Sequence, residues 1–170
     1  MLTEFLSEEA ISLHKEYLRK LRLKYSILES ELPQLRGASV RDLYRLKLDK
    51  RDREGALALL PEIVLHDVFF FSFSEERYTR SEAVASVYGS EAAFLNKLYR
   101  LAVSARTGFL TVGRGARPEV VLDYAEALRY GEPLLAVDLC EHAYLPDYGL
   151  DRERYLVTCL SYLDLKKIII

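Results

Sequence analysis

The stretch AVDLCEHAYL, residues 136–145, places an aspartate and a histidine four residues apart, directly after an apolar run. The run PLLAVDL at 133–139 predicts a strand. Asp138 then falls where the strand ends, and His142 lies in the turn that follows. This arrangement can aim a carboxylate and an imidazole at one point. Because the chain has three histidines, the positions of the other two decide what this pair can do.

The first histidine lies in a long predicted helix. Ser7 is typical of an N-cap, two glutamates follow it in the first turn, and the helical pattern continues until Pro33 stops it. His14 belongs to a series of positions spaced alternately three and four residues apart, which is typical of a helix packed along a partner helix. The series is Ile11, His14, Leu18, Leu21, Tyr25, Leu28 and Leu32.

The second histidine lies in a similar series, after a polar connection at 36–55. His66 occupies the place equivalent to that of His14, whereas Pro61 either begins this helix or kinks it. Two such helices can form a hairpin that brings both histidines into one interior, as a metal site in a helical bundle requires. The series is Ala56, Leu59, Ile63, His66, Phe70 and Phe73.

From Thr79 the pattern changes. Residues 81–107 predict a short helix, a break at Gly89 and a second helix capped by Ser90. Three strand-like runs and a final amphipathic helix complete the chain, at 108–113, 118–124, 133–139 and 151–168.

These patterns predict an α+β fold with two domains. An antiparallel helical hairpin at 1–78 packs on a second domain at 79–170. In the second domain, helices flank a three-stranded antiparallel sheet.

Composition narrows the classes of function. With 24 basic and 26 acidic residues the chain is almost neutral, which argues against electrostatic binding to nucleic acid or to a membrane surface. Eighteen apolar residues never run together and the N-terminus lacks the features of a signal peptide, so we expect a cytoplasmic protein. Cys140 and Cys159 lie far apart in sequence, which favours reduced thiols. Motifs of nucleotide binding and serine hydrolysis are absent.

The histidines and Asp138 form a candidate set of metal ligands. Three imidazoles and one carboxylate suit manganese or iron, and no cysteine stands at a spacing typical of structural zinc sites. On the residues alone, a hydrogen-bonded histidine of the core is the alternative interpretation for His14 and His66.

At these residues the sequence resembles the iron/manganese superoxide dismutases. Their C-terminal signature D-x-W-E-H-A-Y-Y stands here as DLCEHAYL at 138–145. The segments LSEEAISLH and VLHDVFFF resemble those that carry the family's first two histidine ligands, and YGSEAAFLNKL and TGFLTV resemble a helix and the first strand of its second domain. All three histidines fall on ligand positions of the family, which favours ligands over residues of the core.

The resemblance implies one iron or manganese ion per chain, bound by His14, His66, Asp138 and His142 together with one solvent molecule. It implies that the ion cycles between +3 and +2 while superoxide becomes dioxygen and hydrogen peroxide. It also implies a homodimer, in which Glu141 reaches the partner subunit's His142 and orients it.

Several positions depart from the family pattern. Arg22 stands eight residues after His14, where the family has a gateway tyrosine. Leu18 and Leu145 replace a histidine and a tyrosine of the access funnel, and Cys140 replaces the tryptophan of the signature. The aromatic box around the metal is then expected from Phe69, Phe70, Phe71 and Phe109.

The departures at Arg22 and at the family's glutamine position bear on catalysis. The family places a glutamine against the metal-bound solvent, and the two aligned positions read Glu62 and Glu126. We expect one of them to take this role, the alternative being a solvated surface glutamate. Arg22 is either a surface residue or a cation that attracts superoxide.

The resemblance therefore implies a superoxide dismutase. The alternative is a protein of the dismutase fold that binds metal with little or no dismutase activity. A purely structural role and a mononuclear iron oxygenase are disfavoured, because four protein ligands are retained and few coordination positions stay open.

Overall fold

Two long antiparallel helices form the N-terminal part of the computed structural model, which describes residues 2–169. Helix α1 spans Glu8–Glu31, and the Ser7 hydroxyl accepts the Ala10 N–H as its N-cap. Leu28 of α1 lies beside Gly55 at one end of the pair, and His14 faces His66 at the other. The predicted helical hairpin is confirmed.

The connection between the long helices contributes to the core. It contains the short helix α2, Val40–Leu43, which begins with a capping box between Ser39 and Asp42. Leu35 and Leu43 are fully buried against the hairpin, together with Leu18 of α1. The prediction of a polar connection was therefore wrong, because its leucines belong to the buried cluster of the hairpin.

Helix α3 spans Lys50–Phe71 and is capped by Asp49. Pro61 lies in its interior, eleven residues beyond its first residue, so this proline does not begin the helix. Lacking an N–H, Pro61 cannot donate the helical hydrogen bond to the carbonyl one turn earlier.

The C-terminal part is a three-stranded antiparallel sheet flanked by helices, as predicted. The strand order is β2-β1-β3, with Phe109 of the central strand paired to Val121 on one side and Asp138 on the other. The strands are β1 Phe109–Gly113, β2 Arg117–Val121 and β3 Leu135–Asp138, and the helices are α4 Glu82–Tyr88, α5 Glu91–Ser104, α6 Tyr124–Leu128, α7 Glu141–Tyr148 and α8 Arg152–Ser161.

Two predicted boundaries were wrong. The second strand was predicted to reach residue 124, but it ends at Val121 and Asp123 caps α6. The last helix was predicted to reach residue 168, but α8 ends at Ser161 and a separate 3-10 turn, Leu165–Lys167, follows.

A single buried cluster joins the hairpin to the sheet. Phe69 of α3 and Phe73, which follows the helix, pack with residues of β1, β3 and α8. The Ser72 hydroxyl accepts the Ala136 N–H of β3 at 2.7 Å, which fixes the end of α3 against the sheet. The division at 78/79 into two domains stays a prediction. Within residues 2–169, no helix is long and apolar enough to cross a membrane.

Candidate metal centre

Four side chains meet between the hairpin and the sheet: His14 of α1, His66 of α3, Asp138 at the end of β3 and His142 in the first turn of α7. Their candidate ligand atoms all lie within 4.8 Å of one another. The Nε2 atoms of His14, His66 and His142 lie 3.2, 3.5 and 2.8 Å from Oδ2 of Asp138. The structure thus brings all four predicted ligands to one point.

The end of β3 is held in place by two hydrogen bonds. Oδ1 of Asp138 accepts the Cys140 N–H at 2.8 Å, while its Oδ2 lies among the imidazoles. The Tyr155 hydroxyl donates to the Asp138 carbonyl at 2.9 Å from the buried face of α8. One carboxylate oxygen therefore organises the turn, and the other stays available to the site.

The tautomer of His66 follows from its neighbour one helical turn earlier. Its Nδ1–H donates to the Glu62 carbonyl at 2.7 Å, and a carbonyl can only accept. The Nε2 lone pair of His66 is therefore free to face the site, as metal-binding imidazoles require.

Burial and charge act together on the site. His14, His66 and Asp138 are buried, whereas the His142 side chain is 31% exposed. Burial acts to raise the pKa of Asp138, but the neighbouring His14 and His142 outweigh it and hold that pKa below its usual range. Burial lowers the pKa of His66, which favours its neutral, metal-binding form.

The opposite balance holds at His142. Burial acts to lower its pKa, but the Asp138 carboxylate outweighs burial and raises it. The Asp138 carboxylate therefore favours the protonated form of His142 when no cation is bound.

The donor set fits a cation. The contact between His14 Nε2 and Asp138 Oδ2 lacks hydrogen-bond geometry, and within residues 2–169 these two atoms and His14 Nδ1 have no hydrogen-bond partner. Buried polar atoms without partners are costly, and coordination of one ion would satisfy His14 Nε2 and Asp138 Oδ2 at the same time. Three nitrogens and one carboxylate oxygen are donors suited to iron or manganese.

Aromatic rings surround the imidazoles. Phe69 and Phe70 lie with ring centroids 4.9 and 5.2 Å from His14, and Phe109 lies 5.2 Å from His66. Phe71, which was also expected in this wall, is 71% exposed on the opposite side of α3, so that prediction was wrong.

Comparison with protein-family models identifies the chain. The model of the iron/manganese superoxide dismutases, C-terminal domain, matches residues 76–169, which is more than half of the sequence. The chain belongs to the iron/manganese superoxide dismutase family. Asp138 and His142 lie inside the matched region, and the fold brings His14 and His66 to them from outside it. No curated protein matches the chain.

One residue beside the site of this dismutase-family chain was missed from sequence. The Tyr17 ring stacks on His142 with centroids 4.5 Å apart and planes at 27°, and lies 5.4 Å from His66. Its hydroxyl donates to Oε1 of Glu62 at 2.6 Å. Burial, aided by the Glu62 carboxylate, raises the pKa of Tyr17 and keeps its hydroxyl protonated. The signal was its position three residues after His14, on the same helix face.

The two glutamates considered for the glutamine position differ. Glu62 lies beside the imidazoles, through its hydrogen bond with Tyr17. Glu126 does not lie at the end of a strand as expected. It is exposed on α6 and forms an ion pair with Arg129 at 3.5 Å, whereas Tyr124 of the same helix packs on Phe109 beside the site.

The remaining predicted positions lie at the periphery. Arg22 forms an ion pair with Asp67 of α3, and its side chain is 55% exposed. Leu18 is buried within the hairpin, and Leu145 of α7 is 43% exposed. Glu141 begins α7 as an exposed residue next to His142.

Cys140, in place of the family's tryptophan, lies between the end of β3 and the start of α7. Its Sγ is 3.2 Å from the Thr107 hydroxyl and 3.9 Å from the Tyr124 hydroxyl. Burial raises the pKa of this thiol, and the Asp138 charge acts in the same direction.

Proposed function

We propose that this protein is a superoxide dismutase that acts at a mononuclear iron or manganese site, with one ion per chain. The observation that carries the proposal is the convergence of three Nε2 atoms on Oδ2 of Asp138, a fully buried carboxylate, in a chain from this family. We assign His14, His66, Asp138 and His142 as the ligands.

The reaction requires one electron to pass from one superoxide to another. One superoxide loses an electron and leaves as dioxygen. The other gains that electron and two protons and leaves as hydrogen peroxide. When bound, an iron or manganese ion supplies the one-electron exchange that no side chain of the site can perform.

The side chains of the chain provide the environment for this exchange. The negative charge of the Asp138 carboxylate would offset part of the positive charge of the bound metal ion. This matters because water is largely excluded from the site. Glu62 orients His66 through its carbonyl. Phe69, Phe70 and Phe109 cover the sides of the site away from solvent. Because His142 is the exposed ligand, we assign the path of superoxide and protons to its side.

Specific residues support an alternative, a metal-binding protein with little dismutase activity. The positions that hold a histidine and a tyrosine of the funnel in the family are Leu18 and Leu145 here, and leucine cannot relay protons. The Arg22 guanidinium is paired with Asp67, which reduces its attraction for an anion. Tyr17 and Glu62 provide a hydroxyl and a carboxylate on the side of His142 that faces α1 and α3.

We further propose a homodimer and a cytoplasmic location. Glu141 is exposed next to His142, where it can accept a hydrogen bond from the partner subunit's His142. The location rests on the two cysteines, Cys140 and Cys159, which form no disulfide.

Metal analysis and a dismutation assay test the proposal together. The purified protein is analysed for iron and manganese, and superoxide decay is measured on samples loaded with each metal. About one ion per chain with strong activity in one sample is expected, and it names the metal. Metal without activity in either sample selects the alternative, and the absence of bound metal overturns both.

A further inference from the structure

We infer that Tyr17 and Glu62 form a clamp that holds two of the three imidazoles and governs the exchange of the metal ion. The inference rests on the proposed metal site but not on dismutase activity. Tyr17 stands at a position for which the sequence indicated no role, and Glu62 bonds to both the hydroxyl of Tyr17 and the ring of His66.

Glu62 acts at both ends of the clamp. Its main-chain carbonyl accepts the Nδ1–H of His66 at 2.7 Å, and its carboxylate accepts the Tyr17 hydroxyl at 2.6 Å. A hydrogen bond to a carboxylate is roughly twice as strong as one between neutral groups. One residue of α3 therefore orients one ligand directly and fixes the ring that covers another.

His142 is the ligand that needs this support. Its side chain is 31% exposed, whereas the other three ligands are buried. Its polar contacts are made by one atom, Nε2, which lies 2.8 Å from Oδ2 of Asp138 and 3.3 Å from Nε2 of His66. Of the rings around His142, that of Tyr17 is nearest at 4.5 Å, against 4.9 Å for His14 and 5.6 Å for His66, and it is the one that is not itself a ligand.

The clamp also lies on the side from which an ion enters or leaves. His14, His66 and Asp138 are closed in by helices, by the sheet and by phenylalanine rings, so an ion must pass beside His142. Tyr17 can leave this position only if its bond to Glu62 breaks. Metal release then depends on the same hydrogen bond that holds the ring.

The test measures metal release from the full chain loaded with cobalt(II), whose visible absorption reports the coordination geometry. Transfer of cobalt to excess chelator is followed for the wild type, Tyr17→Phe, Glu62→Ala, the double variant and Glu62→Gln. The control is Tyr25→Phe, since Tyr25 lies on the same helix and its buried hydroxyl has no partner within residues 2–169.

We expect Tyr17→Phe and Glu62→Ala each to release cobalt roughly 10-fold to 100-fold faster and to shift the absorption band. The double variant should be no faster than either single variant, because both remove one interaction. Glu62→Gln, whose neutral amide oxygen accepts the tyrosine proton more weakly than a carboxylate, should release cobalt at a rate between those of the wild type and Glu62→Ala. Tyr25→Phe should stay within about threefold of the wild type.

Wild-type release and spectra in both Tyr17→Phe and Glu62→Ala would overturn the clamp while leaving the proposed metal site intact. If Glu62→Ala does not fold, Tyr17→Phe decides the question by itself. A wild type that binds neither cobalt, iron nor manganese would overturn the metal site and the clamp together.

Discussion

Nε2 of His142 lies 2.8 Å from Oδ2 of Asp138, four residues earlier in the chain. The two residues belong to different elements, because Asp138 ends β3 and His142 lies in the first turn of α7. Half of the candidate site is therefore formed by five consecutive residues. The long helices have only to present one buried imidazole each to complete it.

Replacing the carboxylate should abolish stable metal binding. Asp138→Asn keeps an oxygen for the Cys140 N–H but removes the negative charge among the imidazoles. We expect affinity for iron or manganese to fall by at least roughly 100-fold, since loss even of supporting groups costs about 10-fold to 100-fold. Competition with a chelator measures the change, and wild-type affinity in this variant would contradict the assignment of Asp138.

Metal removal should destabilise the fold, because an ion bound only by the native state adds stability. At a free-metal concentration of about 100 times Kd this amounts to about 2.7 kcal/mol. In a chain of this length it corresponds to roughly 5–10 °C in Tm. Thermal melts followed by circular dichroism, with and without chelator, measure this shift in Tm. Identical melts would contradict a metal site formed by α1, α3, β3 and α7 together.

Two neighbouring phenylalanines should differ sharply on truncation. Phe69 is fully buried beside His14, so Phe69→Ala should lower the free energy of unfolding by about 3–5 kcal/mol. Phe71 is 71% exposed, so Phe71→Ala should change it by less than about 0.5 kcal/mol. Urea unfolding measures both, and equal effects would show that the helix face is misassigned.

Arg22 should contribute little to the capture of superoxide. Its guanidinium is paired with Asp67 at the surface, and exposed pairs contribute about 0–1 kcal/mol to stability. We expect Arg22→Ala to change the bimolecular rate with superoxide, and its dependence on salt, by less than about twofold. A several-fold slower rate with weaker salt dependence would instead support the gateway role.

The local spacing of apolar residues was sufficient to predict the two long helices and the end of β3. The spacing that placed His14 and His66 in the two helical series also placed them in one interior, because residues three and four apart share a helix face. The end of β3 was predicted because branched apolar residues precede Asp138. These are patterns within a single element, which sequence displays directly.

The missed features depend on contacts between distant segments or on competing local patterns. Tyr17 acquires its role from Glu62, 45 residues away, so the register of α1 against α3 had to be known. Leu35 and Leu43 are buried against the hairpin. Their neighbours in sequence are mostly polar, so the sequence around them does not indicate this burial. Glu126 was assigned to a strand end, although Asp123 is the N-cap of a short helix.

The error at Phe71 has a simpler cause. Three consecutive phenylalanines on a helix with 3.6 residues per turn span about 200° of its surface, so one of them must leave the buried face. Phe69 faces His14 and Phe71 is exposed, as the helical spacing requires.

The location of the metal tests the central claim most directly. Crystals of the protein loaded with iron or manganese, measured at the absorption edge of that metal, give an anomalous difference map. We predict one peak per chain, bonded to Nε2 of His14, His66 and His142 and to Oδ2 of Asp138. A peak elsewhere, or none in a fully loaded crystal, would contradict the account.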